Sequence, residues 1–482
     1  MQPKLPQSDR RPLVATPQRV TGGSDEAEEA RAPFQPLTPI TERTERTDSS
    51  RWTLDAPSED AMPYGGLRAP PTSLAIPNPC SPADPDIVST LLSNLARPVT
   101  QLPGYVDEAH ESHYLSTLRA RLDARSRRSS VGNGCDVQVA DMQLSVYSRL
   151  GEGGFGSVFL AQDMNESVPL AGQVTASYAD VDQYDIDELE RRQMLALKIE
   201  SPPNPWEFYI LDQLRHRLPD QLQASIVGAR RFVSCANESL LLLEYASMGT
   251  LLELVNHAAE AGVSSVLGQG GGVEEVLAMF FVNELCRIVQ GMHEAGLIHG
   301  DLKIDNCMIR ADDVDEWTST YAADGSGGWA AKGVTLIDFG RAIDMCCYPP
   351  DQRFLADWQP GAQDCVEMRE MRPWTYQADY YGLASIAHCL LFGKYMDTTC
   401  YVNDDGLKTY KIQQSLRRYW QTDLWTRFFH LMLNSTHYPS VGPQLTELRA
   451  EMDAWLTAHS FHAGKNLKGL LKKVEIWALR RV

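Results

Sequence analysis

Charged residues in the second half of the chain stand at spacings that suit the transfer of a phosphoryl group. In IHGDLKIDNCMIR, Asp301 can accept the proton of a substrate hydroxyl, and Lys303 can neutralise charge on the transferred group. Asn306 in the same segment and Asp338 in VTLIDFG are candidate metal ligands. Such chemistry depends mainly on positioning and on neutralising charge. These residues therefore predict phosphoryl transfer from a nucleotide, with Asp301 as the catalytic base.

A glycine-rich segment upstream could cover the phosphates of ATP. LGEGGFGSVFLA places Gly151, Gly153 and Gly156 in the spacing G-x-G-x-x-G, followed by Val158. Glycines allow backbone N–H groups to approach phosphate oxygens, because no Cβ stands in the way. The same spacing marks dinucleotide-binding folds, where a helix follows the glycines. Here both flanks have the character of strands, which favours an ATP-binding loop instead.

A lysine that could hold the α- and β-phosphates follows in the strand candidate LALKIE, where Ala196 is a further nucleotide contact. Lys198 needs a carboxylate to orient it, and Glu207 in NPWEFYILDQLRHRL is the best placed acid. There is an alternative. Asn204 as the N-cap and Pro205 as the first helical residue would put Glu207 where it merely closes a capping box. We favour Lys198 as the partner of Glu207.

The segment LLLLEYASMGTL predicts a strand that leads into a connection between two lobes. Backbone groups of Glu244 and Ala246 would bind the adenine edge, and Leu243 would be the gatekeeper side chain. Met308 could form the floor beneath the adenine. A plain buried strand would explain LLLLEY as well, so this interpretation depends on the surrounding motifs.

The order of elements predicts an α+β protein with two lobes. Short strand candidates come first, and helical patterns such as EVLAMFFVNELCRIVQGMHEAG dominate after Thr250. Two polar inserts, at about 163–194 and 310–332, interrupt these patterns. The strand candidates are Val137–Leu150, Ser157–Ala161, Leu195–Glu200 and Leu240–Glu244.

Three regions follow from these patterns. Residues 1–77 predict a disordered tail, because they are rich in Pro, Ser, Thr and charge and lack a sustained period. Residues 78–136 predict a helical extension that ends in a basic linker, RARLDARSRRSS. Residues 137–482 predict the catalytic domain. The extension shows helical spacing at Ile87–Leu95 and around Leu118.

Composition restricts the classes of function. The 482 residues include 44 Lys and Arg against 63 Asp and Glu, which gives a formal net charge of -19. That balance argues against broad nucleic-acid binding, which needs cations to neutralise phosphates. The ten cysteines show no zinc-site spacing, which indicates the reduced thiols of an intracellular protein. No apolar run is long enough to predict a membrane span.

Together these motifs resemble those of protein kinases, and of one family in particular. NPWEFYILDQL, HGDLKIDN, LIDFGRAIDM and RPWTYQADYYGLA are similar to the spindle-checkpoint kinases called "budding uninhibited by benzimidazoles". ADPDIVSTLLSNLARPV resembles the extension before that family's kinase domain, so the likeness covers about residues 78 to 480. The resemblance implies a small β-rich N-lobe and a large helical C-lobe that use ATP and Mg²⁺ to phosphorylate Ser and Thr. It also implies a core histone tail as a substrate, checkpoint partners at kinetochores and a nuclear location.

Two other classes of function are compatible with the fold. A pseudokinase that serves as a binding scaffold is free to lose the lysine, the base and the metal ligands. All of these are present, which favours an active enzyme. A small-molecule kinase is disfavoured by Lys303, two residues after Asp301, and by Glu367 and Asp379, which look like the scaffold of a peptide-binding lobe.

The sequence between residues 338 and 367 predicts that this segment is ordered without being phosphorylated. In many kinases an arginine before the catalytic aspartate pairs with a phosphate on this segment. Here that position is Gly300, and the only hydroxyl side chain in the segment is Tyr348. We expect packing by Phe354 and its neighbours to order it, and we expect the extension at Ile87–Leu95 to brace the small lobe. The alternative is a phosphorylated Tyr348 answered by Arg341.

Overall fold

The computed structural model describes residues 76–126, 134–153, 156–165, 194–265, 271–460 and 466–481. The predicted disordered tail, apart from its last two residues, lies outside these stretches, as does most of the insert at 163–194. Among the described helices, none combines the length and the apolar character that a bilayer span requires.

The described part of the extension contains two α-helices, α1 (Pro85–Ser93) and α2 (Tyr114–Ser126). Asp84 caps α1 by accepting a hydrogen bond from the backbone of Asp86. The prediction that the run RARLDARSRRSS is a linker is wrong for residues 119–126, which continue α2. The reason is tertiary: Leu118 is completely buried against the sheet, so packing extends the helix through a polar sequence.

The first lobe contains one sheet of seven described strands. The strands are β1 (Tyr105–Asp107), β2 (Cys135–Val139), β3 (Met142–Glu152), β4 (Gly156–Asp163), β5 (Met194–Glu200), β6 (Ala229–Ser234) and β7 (Ser239–Glu244). They lie across the sheet in the order β1-β6-β7-β5-β4-β3-β2. All neighbours pair antiparallel except β1, which is parallel to β6. Two helices, α3 (Trp206–Arg217) and α4 (Asp220–Gln223), follow β5 in the chain.

The alternation of side chains along strand β5 explains why the Lys198 side chain lies outside the hydrophobic core of the sheet. Successive side chains of a strand point to opposite faces. Leu195, Leu197 and Ile199 are buried in one hydrophobic cluster of the sheet. Lys198 and Glu200 therefore lie on the other face.

The sequence predicted one strand over Val137–Leu150, and this is wrong, because the segment forms the hairpin of β2 and β3. The turn lies at Ala140, whose φ is 51°. Turns with positive φ usually contain Gly, Asn or Asp at that position, so the sequence carried only a weak signal here. Strands β1 and β6 were also missed, one because it has three residues and the other because it begins ARR.

The second lobe is mainly helical, as predicted. Its long central helices pack against one another, and they bury most of the large apolar cluster of the molecule. Short strand pairs β8–β11, β9–β10 and β12–β13 lie beside them. The helices are α5 (Leu251–Asn256), α6 (Glu275–Glu294), α7 (Val366–Arg369), α8 (Gln377–Phe392), α9 (Thr422–Leu433), α10 (Gly442–His459) and α11 (Leu467–Leu479). The strands are β8 (Leu297–Ile298), β9 (Cys307–Ala311), β10 (Lys332–Leu336), β11 (Ile343–Asp344), β12 (Thr398–Val402) and β13 (Lys408–Ile412).

The insert at 310–332 is anchored to the helical lobe in spite of its polar sequence. Tyr321 and Trp329 are buried, and their rings contact each other edge to face at 5.2 Å. The Tyr321 hydroxyl donates to the Asp453 carboxylate on α10 at 2.8 Å. Two aromatic side chains therefore fix the segment that the sequence predicted to be a polar insert.

The start of the extension pairs with the segment that follows D-F-G. The backbone of Leu355 donates to the Cys80 carbonyl at 2.9 Å, and the backbone of Cys80 donates to the Arg353 carbonyl at 3.3 Å. Asn78 accepts a hydrogen bond from the Arg353 backbone, and Gln352 donates to the Pro77 carbonyl. The start of the extension therefore contacts this segment directly, while the expected bracing of the small lobe by Ile87–Leu95 stays a prediction.

Candidate active site

An ion pair joins the sheet to helix α3. The ammonium of Lys198 lies 2.7 Å from the Glu207 carboxylate and 2.9 Å from that of Asp338. Glu207 is fully buried, and its second oxygen accepts a hydrogen bond from the backbone of Phe339 at 3.0 Å. Helix α3 begins after Pro205, one residue later than predicted, and the Asn204 side chain accepts a hydrogen bond from the Trp206 backbone at 3.2 Å. Glu207 is thus bound to Lys198 and Phe339 and closes no capping box.

The charge of Lys198 is stabilised by the acids around it. Burial lowers the pKa of this ammonium, but the carboxylates of Asp338, Glu207 and Glu200 outweigh burial and raise it above its ordinary value. In return, Lys198 holds the pKa of Asp338 well below its usual range. Both groups are therefore charged at neutral pH, as the binding of phosphates and of a metal ion requires.

The segment around Asp301 is held by its own hydrogen bonds. The ammonium of Lys303 lies 2.8 Å from Asp301 Oδ2, and Asn306 Nδ2 donates to the Asp301 carbonyl at 2.9 Å. From α8, the buried carboxylate of Asp379 accepts hydrogen bonds from the backbones of His299 and Gly300 at 2.8 and 2.9 Å. The Asp301 side chain keeps 22% of its surface exposed, so a substrate hydroxyl can reach it.

The D-F-G residues adopt an unusual backbone. Asp338 has a φ of 65°, in the left-handed region that residues with a side chain rarely adopt, and such positions concentrate at functional sites. Phe339 is completely buried, and its ring lies 4.7 Å from that of His299. This packing fixes the turn and points the Asp338 carboxylate towards Lys198.

The residues present fit a hard divalent cation. Asp338 supplies carboxylate oxygens and Asn306 supplies an amide oxygen, and Mg²⁺ prefers oxygen ligands. The hydrogen bond from Asn306 Nδ2 to Asp301 orients the amide and leaves its oxygen outside that contact. Within the described residues no group of three or more His, Cys, Asp or Glu forms a metal cluster. A metal ion here would be bound by these protein oxygens together with phosphate oxygens of the nucleotide, as in P-loop and kinase sites.

The glycine-rich segment connects β3 to β4, and its residues 154–155 lie outside the described part. The backbone of Gly153 donates to the Gly156 carbonyl at 3.0 Å, so the residues on either side of 154–155 are bonded to each other. A Cβ at Gly156 would lie 2.1 Å from the Ile199 carbonyl oxygen, so the neighbouring strand excludes a side chain there. Val158 pairs with Gly151 on one side and with Lys198 on the other. The glycine-rich segment therefore lies directly beside the strand of Lys198.

The strand predicted to bind adenine borders the same cleft. Leu243 of β7 pairs with Ala196 of β5, so these two predicted contacts are neighbours. The backbone N–H of Glu244 donates to the Gly228 carbonyl at 2.9 Å. Glu244 can therefore offer adenine only its carbonyl. Ala246 is half-buried just beyond the strand.

Met308 lies on the helical side of the cleft. It stands in β9 and forms a bridge with Thr250, at the end of the connection between the lobes. This position is compatible with the predicted floor beneath adenine.

Two functional candidates were missed from the sequence. Arg119 of α2 donates to the Ser157 hydroxyl at 2.9 Å and pairs with Glu152 at 3.0 Å, so the extension contacts the glycine-rich segment. Helical spacing from Leu118 could have shown that Arg119 belongs to a helix. Glu200 lies 3.5 Å from the ammonium of Lys198, and burial raises its pKa to about 7. Only its position two residues after Lys198 could have indicated this.

We expect Glu200→Gln to remove a pH-dependent loss of stability. A carboxyl whose pKa rises from 4.5 to about 7 on folding binds its proton more tightly in the folded state. The protonated Glu200 therefore contributes fully to stability below its unfolded pKa, and this contribution is lost as the pH rises through its folded pKa. The free energy of unfolding falls by at most about 3 kcal/mol over this range. Compared with the variant, the wild-type Tm should fall between about pH 5 and about pH 8. An equal Tm difference at both pH values would contradict this.

Comparisons with known proteins agree with this geometry. Residues 144–448 match a family profile described as "Protein kinase domain". The chain is 37% identical over 381 residues to the spindle assembly checkpoint serine/threonine-protein kinase bub1 of Schizosaccharomyces pombe. That alignment covers 76% of this chain and 35% of the relative. The corresponding kinase of Saccharomyces cerevisiae is 33% identical over 381 residues, with 79% and 34% covered.

These two relatives confirm the resemblance predicted from the motifs, and the chain spans about a third of their length. Among solved structures, the BubR1 kinase domain superposes with a TM-score of 0.60 at 23% identity. The superposition covers 83% of this chain and 99% of that one. At this identity the match supports the two-lobed fold alone.

Proposed function

Because this chain belongs to the protein kinase family, we propose that it is an ATP-dependent protein serine/threonine kinase of the spindle checkpoint. The observation that carries the proposal is the contact of Lys198 with both Glu207 and Asp338, beside a segment that presents Asp301. An ammonium, a base and two oxygen ligands then face one cleft. Phosphoryl transfer needs these groups and little covalent chemistry from the protein.

In this proposal Lys198 binds the α- and β-phosphates, and Glu207 keeps its ammonium in place. Asp301 accepts the proton of the attacking hydroxyl. Lys303, at 2.8 Å from Asp301, offsets negative charge that develops beside that base. Asn306 and Asp338 would hold Mg²⁺, which would neutralise charge on the phosphates when bound. The scaffold alternative is not favoured by the relatives, whose names describe serine/threonine kinases.

The substrates, partners and location of the protein are part of the proposal. The names of the relatives, spindle assembly checkpoint serine/threonine-protein kinases, support protein substrates and checkpoint partners. A core histone tail as a substrate, partners at kinetochores and a nuclear location are proposed from the resemblance of the motifs alone. The net charge of -19 favours basic peptides over nucleic acid as a direct partner. No membrane partner is proposed.

Substrate choice can be tested with two proteins of similar charge. Purified core histones and a generic basic protein are incubated with γ-labelled ATP and the enzyme. We expect a higher kcat/KM for the histones, with label on serine or threonine. Equal values for the two substrates would remove the histone tail from the proposal and leave the kinase activity in place.

A further inference from the structure

Helix α3 is tied to the segment after D-F-G at several points besides Glu207. The indole N–H of Trp206 donates to the Ala342 carbonyl at 2.7 Å, and both groups are buried. Further along the helix, Tyr209 and Arg217 reach Asp344 of β11. The helix that positions Lys198 is therefore connected to this segment from its first residue to its last.

Among these contacts, the one at the Asp344 carboxylate contains the most hydrogen bonds. Arg217 donates from both of its terminal nitrogens to the two oxygens of Asp344, each at 2.8 Å. The Tyr209 hydroxyl donates to Oδ2 at 2.8 Å, and the backbone of Cys346 donates to Oδ1 at 3.0 Å. The Asp344 side chain has no exposed surface. A buried carboxylate with a bidentate arginine is a strong and directional contact.

Tyr209 donates its proton to Asp344 in this arrangement, and its oxygen also lies 3.4 Å from the Cys347 thiol. Burial first, and then the nearby Asp344 carboxylate, raise the pKa of its phenol far above the ordinary value. The hydroxyl therefore keeps its proton. Backbone pairing adds to the side-chain contacts, because Asp344 lies opposite Leu297 in the β8–β11 pair.

The position directly before Asp301, where many kinases carry an arginine that binds a phosphate on this segment, holds no cation here. Gly300, directly before Asp301, has a φ of 76°. A Cβ there would lie 2.4 Å from the Arg341 carbonyl oxygen, so this backbone approach excludes any side chain. The one hydroxyl of the segment, on Tyr348, belongs to a side chain that is 1% exposed. A modifying enzyme could not reach it in this conformation.

We propose that Asp344 is a permanent anionic anchor, which Arg217 and Tyr209 bind as an arginine binds an acquired phosphate in kinases that phosphorylation activates. The anchor couples the position of α3, and with it the Lys198–Glu207 pair, to the order of the segment. In regulated kinases a phosphate and an arginine perform this ordering. The inference rests on the proposed kinase activity, but the order of the segment can be measured without it.

The test compares Arg217→Met with Arg215→Met in the full chain. Arg215 is an exposed arginine on the same helix, so its variant controls for the loss of one charge. We expect Arg217→Met to lower kcat at least tenfold, since charge-assisted contacts are the strong ones. Hydrogen exchange should rise in residues 341–348 and stay unchanged in strands β3–β5. Arg217→Lys should recover part of kcat, and Arg215→Met should match the wild type.

Tyr209→Phe keeps the ring and removes one donor, so it covers the case in which Arg217→Met does not fold. We expect a several-fold loss of kcat and faster exchange near residue 344. Phosphatase treatment of the wild type should leave kcat unchanged. The inference is overturned if Tyr209→Phe and any folded Arg217→Met leave both exchange and kcat unchanged, or if phosphatase abolishes activity. A wild type that transfers no phosphate would refute the proposed function, while the exchange data would still decide on the anchor.

Discussion

Replacing Asp301 with asparagine is expected to lower turnover about 100- to 10,000-fold, the usual contribution of a general base. The amide cannot accept the substrate proton, although it has the shape of the carboxylate. ATP affinity should be retained, because the glycine-rich segment, Lys198 and the connection between the lobes are unchanged. Steady-state transfer and nucleotide binding, measured on the same preparation, separate the two effects.

Asp313→Asn is the matched control for this variant. Asp313 is exposed and lies in the insert after β9, so its loss should leave turnover unchanged. Near-normal transfer by Asp301→Asn would mean that another group accepts the proton. A parallel loss of ATP binding would instead indicate that the segment around Asp301 had changed its conformation.

Replacing Glu207 with glutamine is expected to lower kcat about 10- to 100-fold, the value of one charge-assisted hydrogen bond expressed as a rate. Glutamine can still accept a hydrogen bond from the Phe339 backbone. It removes the negative charge that holds Lys198. Of the two carboxylates closest to the Lys198 ammonium, only that of Asp338 would then remain. Transfer rates and thermal unfolding of the variant would be measured side by side.

The result for Glu207→Gln decides whether the ion pair matters for activity. We expect a small change in Tm and a large change in kcat. Glu260→Gln, at an exposed position in the helical lobe, controls for the loss of one carboxylate. If Glu207→Gln transferred phosphate at nearly the wild-type rate, orientation of Lys198 by Glu207 would not be needed.

Local patterns predicted the elements that position the site. Strand β5 was predicted at Leu195–Glu200, and α3 was predicted to within one residue at its start. The partners of these elements were harder to predict. Nothing in the sequence links Arg217 to Asp344, because the two are separated by 127 residues and meet only in the folded lobe. The same holds for Cys80 and Arg353, whose pairing needs both backbones in place.

Tertiary packing determined the structure of two segments in ways that their composition did not indicate. The basic sequence after Leu118 favoured a linker, but burial of Leu118 against the sheet extends α2. The insert after β9 looked polar, yet Tyr321 and Trp329 anchor it to the helical lobe. In each case one or two apolar side chains outweighed a polar stretch, which composition alone does not reveal.

The most direct test of the account is phosphoryl transfer by the purified chain after phosphatase treatment and removal of the phosphatase. The chain, γ-labelled ATP, Mg²⁺ and core histones are combined, and the labelled amino acids are identified in wild type and in Asp301→Asn. We predict label on serine or threonine of the protein substrate with the wild type and a loss of at least about 100-fold with the variant. Equal labelling by the two, or no transfer by the wild type, would contradict the account.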